Sequence, residues 1–325
     1  MENFPGGANI IRNGAVEGCG LYIPASSCNP AGNGDPVIVD ADNDGVSDAL
    51  DDYPNDPNLA TDAFYPSDNS QATLAFEDLW PAYGDYDFND LVVAYRYRYR
   101  LNANNQVVDM RGEFETRAIG GSFENGFGIQ LDLPSSAVSN VSGSNLQEGL
   151  IAVNGNGCES GQNLATVIVF DNAYNLMSPS SGSFVNTVVG NPYVQPVTTT
   201  ITIDFNSPVD LASWGTAPHN PFIFIDGNRG REVHLAGGLP TDLADASLFG
   251  TGEDDTKGDL SKTYRSVDNL PWAIHLPSLF AYPEEKQDVV QVYNIFSTWA
   301  QSGGTQAEDW YLDNPGNINS NLLYE

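Results

Sequence analysis

The amino-acid sequence predicts a mainly β protein folded as an antiparallel β-sandwich, jelly-roll-like, with one or two short helices near the C-terminus. Runs rich in β-branched and aromatic residues recur from Ala63 onwards, and Gly, Asn, Pro and Ser turns separate them. Helical spacing of apolar residues is confident in only one segment, close to the end of the chain. Many short strands with one late helix are typical of a sandwich.

The strongest strand signal is LVVAYRYRYRL at residues 91–101. From Ala94 onwards tyrosine and arginine alternate, so the tyrosines lie on one face of the strand and the arginines on the other. We expect a half-buried strand whose arginines pair with acidic residues on neighbouring strands. The further strand signals are GEFETRAI, FGIQLDL, ATVIVFD, TTTITIDF and PFIFIDG.

The helical segment is EEKQDVVQVYNIFSTWAQSGG, in which apolar residues recur at helical spacing from Val289 to Ala300. Gly303 and Gly304 follow the last apolar position, where glycine commonly ends a helix. The sequence therefore predicts one helix here, with its apolar stripe packed on a sheet.

The chain divides by composition into three parts. Residues 1–36, rich in Gly, Pro, Asn and Ser, predict an N-terminal arm or edge strands; residues 37–60 form an acidic loop, and residues 61–325 form the β-sandwich domain. Cys19 and Cys28 are close enough in sequence to form a disulfide, which leaves Cys158 free or intermolecular.

The charge balance excludes several classes of partner. The chain has 43 acidic and 12 basic residues, a formal net charge of −31, which repels nucleic acid and anionic membranes and favours cations. No run approaches the ~20 apolar residues of a membrane span. The composition is typical of a secreted or cell-surface protein, with the signal peptide not present in the numbered chain.

In the acidic loop, aspartates recur at a regular spacing. The loop reads D-x-D-x-D-G-x-x-D-x-x-D from residue 40, with Gly45 at the sharp turn. The predicted calcium ligands are Asp40, Asp42, Asp44, the Val46 carbonyl, Asp48 and Asp51. Prolines at 36, 54 and 57 exclude flanking helices, so the loop is not an EF-hand but resembles a thrombospondin type-3 repeat, which is extracellular and structural.

A second acidic group lies in FEDLWPAYGDYDFNDLVVAY, directly before the strongest strand. Oxygen-bearing side chains around a Gly84 turn could form another cation site; the candidate ligands are Glu77, Asp85, Asp87, Asn89 and Asp90. The alternative is that these Asp and Asn residues cap a turn and pair with Arg96 or Arg98.

Several segments together resemble one family, the LruC domain. They are TLAFEDLWPAYGDYDFNDLVVAYRYRY, RAIGGSFENGFGIQL, RGREVHLAGGLPTDLADASLFGTGEDD, NLPWAIHLP and WAQSGGTQAEDWY, and the resemblance runs from about Ala60 to Tyr324. It implies a bacterial secreted or surface-anchored protein, mostly β and not an enzyme. A lipid anchor, frequent in that family, is not expected here because no cysteine follows an apolar leader.

The leading functional hypothesis is a non-enzymatic, calcium-binding extracellular protein with a structural or adhesive role at a bacterial surface. One alternative is a subunit of a self-assembling extracellular fibre, whose partners are copies of itself joined through the N-terminal arm. Another is a calcium-dependent carbohydrate-binding module or glycosidase that binds surface glycans on the aromatic platforms Trp80, Trp214 or Trp272. Arg229, Arg231 and His234 form a basic spot that either binds an anion or pairs with nearby carboxylates.

Overall fold

The computed structural model describes residues 39–324, which fall into two compact units, 39–60 and 61–324. Each unit is described by itself. The predicted arm (1–36) and the predicted Cys19–Cys28 disulfide lie outside the described residues.

The first unit consists of turns and bends, without helix or strand between residues 39 and 60. Its few backbone–backbone hydrogen bonds include Asp48 N to Val39 O at 2.9 Å and Asp52 N to Ala60 O at 2.8 Å. Side-chain carboxylates accept most of the remaining amide hydrogens of the loop, as described below.

The second unit is built from antiparallel strands, as the sequence predicts. The strands are β1 (Thr61–Tyr65), β2 (Ala72–Phe76), β3 (Leu91–Leu101), β4 (Gln106–Ala118), β5 (Gly126–Pro134), β6 (Val138–Ser142), β7 (Leu164–Phe170), β8 (Val197–Asp210), β9 (Asn220–Ile225), β10 (Asn228–His234) and β11 (Ala273–Leu276). The helices are α1 (Val289–Val292) and α2 (Phe296–Gln301). Single 3₁₀ turns occur at Ser135–Ala137, Ala173–Asn175, Leu211–Ser213, Ala246–Leu248 and Ser320–Leu322.

The strands form two sheets, and the predicted β-sandwich is confirmed. The larger sheet has the order β11-β2-β3-β4-β8-β6, and the smaller sheet has the order β10-β9-β5-β7. β3 is long enough to pair with two strands along one edge. β2 pairs with its first half and β1 with its second half.

β3 has the alternating faces that its sequence predicts. The side chains of Tyr95, Tyr97 and Tyr99 lie in the core between the sheets. The intervening arginines pair with carboxylates on adjacent strands: Arg96 with Glu113, Arg98 with Asp62 and Arg100 with Asp109, at 2.6–2.7 Å. The arginine face is therefore an ion-paired sheet surface.

A second hydrophobic cluster covers the outer face of the larger sheet. Successive strand residues point to opposite faces, so Leu91 and Val93 enter the central core whereas Val92 packs under the C-terminal segment. The partners of Val92 in this second cluster include Phe296 and Trp310. The beginning of β3 is thus buried on both faces.

The predicted short helices near the C-terminus are confirmed, but the segment predicted as one helix is divided into two. Tyr293 adopts an extended backbone conformation and bridges to Ile318, and Asn294 N donates to Asn317 O at 2.9 Å. The later segment 316–319 therefore takes backbone hydrogen bonds that helix continuation would need. α2 ends as predicted, because Gly304 N donates to Trp299 O at 2.9 Å with Gly304 in the left-handed region.

The tryptophans and the cysteine are core residues. Trp80, Trp214 and Trp272 are fully buried, so the exposed aromatic platforms of the carbohydrate-binding alternative are absent at these positions. Cys158 is buried and forms no disulfide within residues 39–324. Among the described residues, no helix has the length and apolar character needed to cross a membrane.

Candidate metal centre

The acidic loop brings its first three carboxylates together. Asp40, Asp42 and Asp44 each offer an oxygen within 4.8 Å of the others. Loop amides already donate to some of these oxygens. Asn43 N and Gly45 N donate to the two oxygens of Asp40, at 2.8 and 3.2 Å, whereas Asp42 and Asp44 each accept through Oδ1 only, from Asp44 N at 3.3 Å and Val46 N at 2.7 Å. The other oxygens of Asp42 and Asp44 are buried and accept no hydrogen bond, so they face the shared centre.

The later loop residues are arranged around the same turn. Asp48 Oδ1 accepts from Ala41 N at 2.8 Å, and Asp51 Oδ1 accepts from Tyr53 N at 2.6 Å. Asp51 is buried, its Oδ2 accepts no hydrogen bond, and its charge contributes to the raised pKa of Asp42, after desolvation and the charge of Asp44. Asp48 and Asp51 lie outside the close group of three, so the structure places together three of the five predicted carboxylate ligands.

Gly45 is required at the turn. Its φ is +100°, in the region that residues with a side chain rarely adopt. The loop folds back over its own carboxylates at the position that the calcium-loop pattern assigns to glycine.

In the second unit, strand pairing assembles an acidic centre, in which four carboxyl side chains are buried and those of Asp85 and Glu285 are partly exposed. We use this name for Glu77, Asp78, Asp85, Asp87, Asp90 and Glu285. β2 ends at Phe76, which pairs with Leu91 at the start of β3, so the residues after β2 lie beside those before β3. Asp78 N donates to Asp90 Oδ2 at 2.7 Å across this junction.

In the turn between these strands, acidic residues alternate with buried aromatic residues. Tyr86 and Phe88 are buried and adopt left-handed backbone conformations, with φ of 58° and 54°. Such conformations cost about 1–3 kcal/mol each and are concentrated at functional sites. They direct the aromatic rings into the second cluster, while Asp85 and Asp87 approach one another on the other side of the chain.

Glu285 completes the close group from a distant part of the sequence. One oxygen each of Asp85, Asp87 and Glu285 lies within 4.8 Å of the others. Glu77 Oε1 accepts from Phe88 N at 2.5 Å, and its Oε2 is buried without a hydrogen-bond partner. Two oxygens that each lie about 2.3–2.6 Å from one calcium ion are at most about 5 Å apart. The oxygens of the close group are therefore near enough to bind the same ion.

The segment containing Glu285 is fastened to the acidic turn by backbone groups. Lys286 N donates to Asp87 Oδ2 at 2.8 Å, and Asn89 Nδ2 donates to Pro283 O at 3.1 Å. Glu285 N donates to Thr187 O at 2.9 Å. Residues 283–286 are therefore positioned at the centre by three independent hydrogen bonds.

Burial and mutual repulsion disfavour the ionised form of the carboxyl groups in the acidic centre when no cation is bound. Burial raises the pKa of Asp87 to about 8, with the charge of Asp85 as the second cause. Burial likewise raises the pKa of Glu77 and of Asp90 well above the ordinary carboxyl range, and raises that of Glu285 to about 6. Unless a cation binds, Asp87 retains its proton near neutral pH.

The ion pairs formed by the described residues involve no member of the acidic centre. The predicted alternative, pairing with Arg96 or Arg98, is wrong because both arginines bind other carboxylates. Arg231 donates to the carbonyl oxygens of Trp80 and Asp78, at 2.6 and 3.3 Å, rather than to a carboxylate.

The basic spot of the sequence is largely an internal ion-pair network. Arg229 pairs with Glu159 at 2.5 Å and with Glu232, and His234 Nε2 contacts Glu232 at 2.9 Å. These groups satisfy one another, as the pairing alternative predicts.

The sequence predicted the members of the acidic centre that lie close together in the chain, and it missed those contributed by distant segments. Four of the five predicted ligands, Glu77, Asp85, Asp87 and Asp90, belong to the acidic centre, and Asn89 lies beside it. Only Asp85 and Asp87 of these belong to the close group of three. Glu285 and Asn125 were missed because tertiary folding alone brings them there. The only local signal was EE at 284–285 after a proline, which is common on protein surfaces.

The fold and these sites define a class, a two-sheet antiparallel β-sandwich with oxygen-only groups suited to hard cations. The chain belongs to the family described as a domain of unknown function, DUF4842, which matches residues 105–311. No curated protein matches the sequence.

One solved structure is similar across most of both chains. It is a crystal structure of a protein named "Putative lipoprotein" from Bacteroides ovatus, with 19% identity and a TM-score of 0.59. The similarity covers 81% of this chain and 76% of that chain. At this identity the comparison establishes the shared fold alone.

Proposed function

We propose that the protein is a non-enzymatic, calcium-binding extracellular module with a structural or adhesive role at a bacterial surface, of the LruC type. The observation that carries the proposal is the acidic centre, in which several carboxyl groups are buried without an ion pair to a basic side chain. Buried charges are costly unless they are paired or coordinate a metal.

Calcium is the cation that this donor set fits best. The donors are carboxylate, amide and carbonyl oxygens, and the close groups contain no sulfur or imidazole. Hard cations prefer such ligands, and calcium accepts six to eight oxygens in flexible geometry. Magnesium requires a stricter octahedron and retains several waters, which a buried site accommodates less well.

An extracellular location gives such sites a function as stabilisers. Binding to the folded state alone stabilises by RT ln(1 + [L]/Kd), about 2.7 kcal/mol for a site whose free calcium is 100 times its Kd. Extracellular sites with Kd near ~10⁻⁴ to 10⁻³ M are common. The LruC resemblance and the fold shared with a protein named as a lipoprotein both support a surface role.

The other two hypotheses have less support. The carbohydrate-binding alternative loses its proposed platforms because Trp80, Trp214 and Trp272 are buried. The fibre alternative depends on residues 1–36, which lie outside the described part of the chain, and is tested by measuring particle size with and without those residues.

The test is thermal unfolding of the full chain in calcium, in magnesium and in chelator. We expect a melting temperature several degrees higher in calcium, a smaller increase in magnesium, and a reduced calcium effect in Asp85→Asn. Asp132→Asn, at an exposed strand position, is the matched control and should respond to calcium like the unmodified protein. An identical melting temperature in all three solutions would refute the proposal.

A further inference from the structure

The acidic centre contains more charge than one divalent cation can neutralise. Six carboxylates would carry six negative charges, and one divalent cation at the close group of Asp85, Asp87 and Glu285 would offset two of them. The three remaining carboxyl side chains are themselves almost entirely buried: Glu77 is 0% exposed, Asp78 2% and Asp90 7%.

The inner part of the centre is a separate group of oxygens. Asp90 uses Oδ2 to accept from Asp78 N, at 2.7 Å, which leaves Oδ1 for another partner. Asp78 Oδ2 accepts from Asn125 Nδ2 at 2.7 Å. Neither Asp78 nor Asp90 belongs to the close group that contains Asp85.

Two consecutive glycines allow these oxygens to approach the backbone. A Cβ at Gly121 would lie 2.0 Å from Asp78 Oδ2 and 3.1 Å from Asp90 Oδ1. A Cβ at Gly120 would lie 1.8 Å from Asn89 Oδ1. The carboxylates of Asp78 and Asp90 therefore converge over Gly121, at a position where any side chain would displace them.

Two fully buried amide oxygens beside the carboxylates lack hydrogen-bond donors. Asn125 and Asn89 are 0% exposed, and the Oδ1 atom of each accepts no hydrogen bond. Leaving such an oxygen unsatisfied costs about 1–3 kcal/mol. The Asn125 amide lies against this group, because its Nδ2 donates to Asp78 Oδ2.

We infer that a second divalent cation, calcium by its oxygen-only ligands, binds at Asp78, Asp90 and Asn125. The inference rests on the proposed calcium function and adds a site to it. Oxygens of these three side chains coordinate the inner cation. Asn89 Oδ1, at the adjoining Gly120, lies beside them. Because this group is buried, its cation exchanges more slowly than one bound in the acidic loop.

The competing arrangement is a proton shared between Asp78 and Asp90. Asp90→Asn distinguishes the inner cation from the shared proton. An amide can replace a protonated carboxyl group, so the substitution is tolerated if a proton is shared, whereas it removes a negative charge that a bound cation needs. The experiment measures calcium per chain by elemental mass spectrometry, on full-length protein brought to equilibrium by dialysis against a fixed, saturating concentration of free calcium. The variants are Asp85→Asn, Asp90→Asn and the double variant, with Asp132→Asn as control.

The inner cation predicts one calcium fewer in each single variant and two fewer in the double variant. An unchanged count in Asp90→Asn, or a loss of only one in the double variant, would overturn the inference while leaving the proposed function intact. Absence of bound calcium in the unmodified protein would overturn both.

A second variant resolves the case in which Asp90→Asn disturbs the whole centre. Asn125→Asp keeps the side-chain size and adds a carboxylate beside Asp78. With an inner cation, we expect the wild-type calcium count and an equal or higher melting temperature in calcium. Without one, a third crowded carboxylate destabilises the fold, and a lower melting temperature in calcium would contradict the inference.

Discussion

At the scale of single residues, Gly121 determines whether the acidic centre can form. Gly121→Ala places a Cβ 2.0 Å from Asp78 Oδ2, so a buried carboxylate must move. We expect a loss of roughly 2–4 kcal/mol in the free energy of unfolding, measured by urea denaturation in calcium. Gly155→Ala is the control, because its Cβ meets nothing within 4 Å. Equal stabilities of the two variants would contradict this account.

Two partly buried histidines, His219 and His275, predict how stability depends on pH. Burial lowers the pKa of His219 and of His275 to about 4 each. The unfolded chain therefore binds these protons first, so their contribution is complete above about pH 6.5 and is lost as the pH falls towards 4. Each histidine accounts for up to about 3 kcal/mol over that range.

The measurement is the free energy of unfolding between pH 7 and about pH 4.5, in excess calcium. His275→Gln and His219→Gln remove one titrating group each, although each also alters hydrogen bonds to tyrosine: Tyr95 for His275, at 2.9 Å, and Tyr99 for His219, at 3.0 Å. We expect both variants to be less stable at pH 7 but to lose less stability on acidification. A pH dependence equal to that of the unmodified protein would exclude the histidines as its source.

At the scale of elements, the acidic centre joins the β2–β3 turn to the segment that leads into the C-terminal helices. Glu285 brings a carboxylate from that segment to Asp85 and Asp87, and Lys286 N and Pro283 O fasten its backbone to Asp87 and Asn89. A cation here would link the covering layer of the second hydrophobic cluster to the larger sheet.

Glu285→Gln tests that link. We expect weaker calcium binding by about tenfold or more, together with faster amide hydrogen exchange in α1 and α2. Glu284→Gln, the neighbouring position outside the close group, is the matched control. Calcium titration and hydrogen exchange that are alike in the two variants would show that Glu285 is not a ligand.

The same elements show how far the sequence predicts the structure. The alternation of residues 91–101 predicted both faces of β3, because strand periodicity depends on local backbone geometry. The helix prediction failed at Tyr293, where a strand-like bridge to Ile318 replaces helical bonding. Glu285 could not be predicted as a ligand, since its distance from Asp87 is set by the packing of the whole C-terminal segment.

At the scale of the whole molecule, a net charge of −31 makes two effects of cations separable. Any salt screens surface repulsion, since the Debye length falls from about 30 Å at 0.01 M to about 8 Å at 0.15 M. Screening reaches exposed carboxylates, but a buried group such as Asp87 is screened much less. The charge of the acidic centre is therefore offset by a bound cation or by protons, and not by salt screening.

We therefore expect sodium chloride to raise the melting temperature of the chelator-treated protein only in part, and calcium at the same ionic strength to raise it further. The excess due to calcium should shrink in Asp85→Asn and persist in Asp132→Asn, because the first removes a ligand and the second an exposed charge. Scanning calorimetry at matched ionic strength measures both contributions. Full recovery in sodium chloride alone would mean that calcium acts by screening, and the buried carboxyls would then be held neutral by protons.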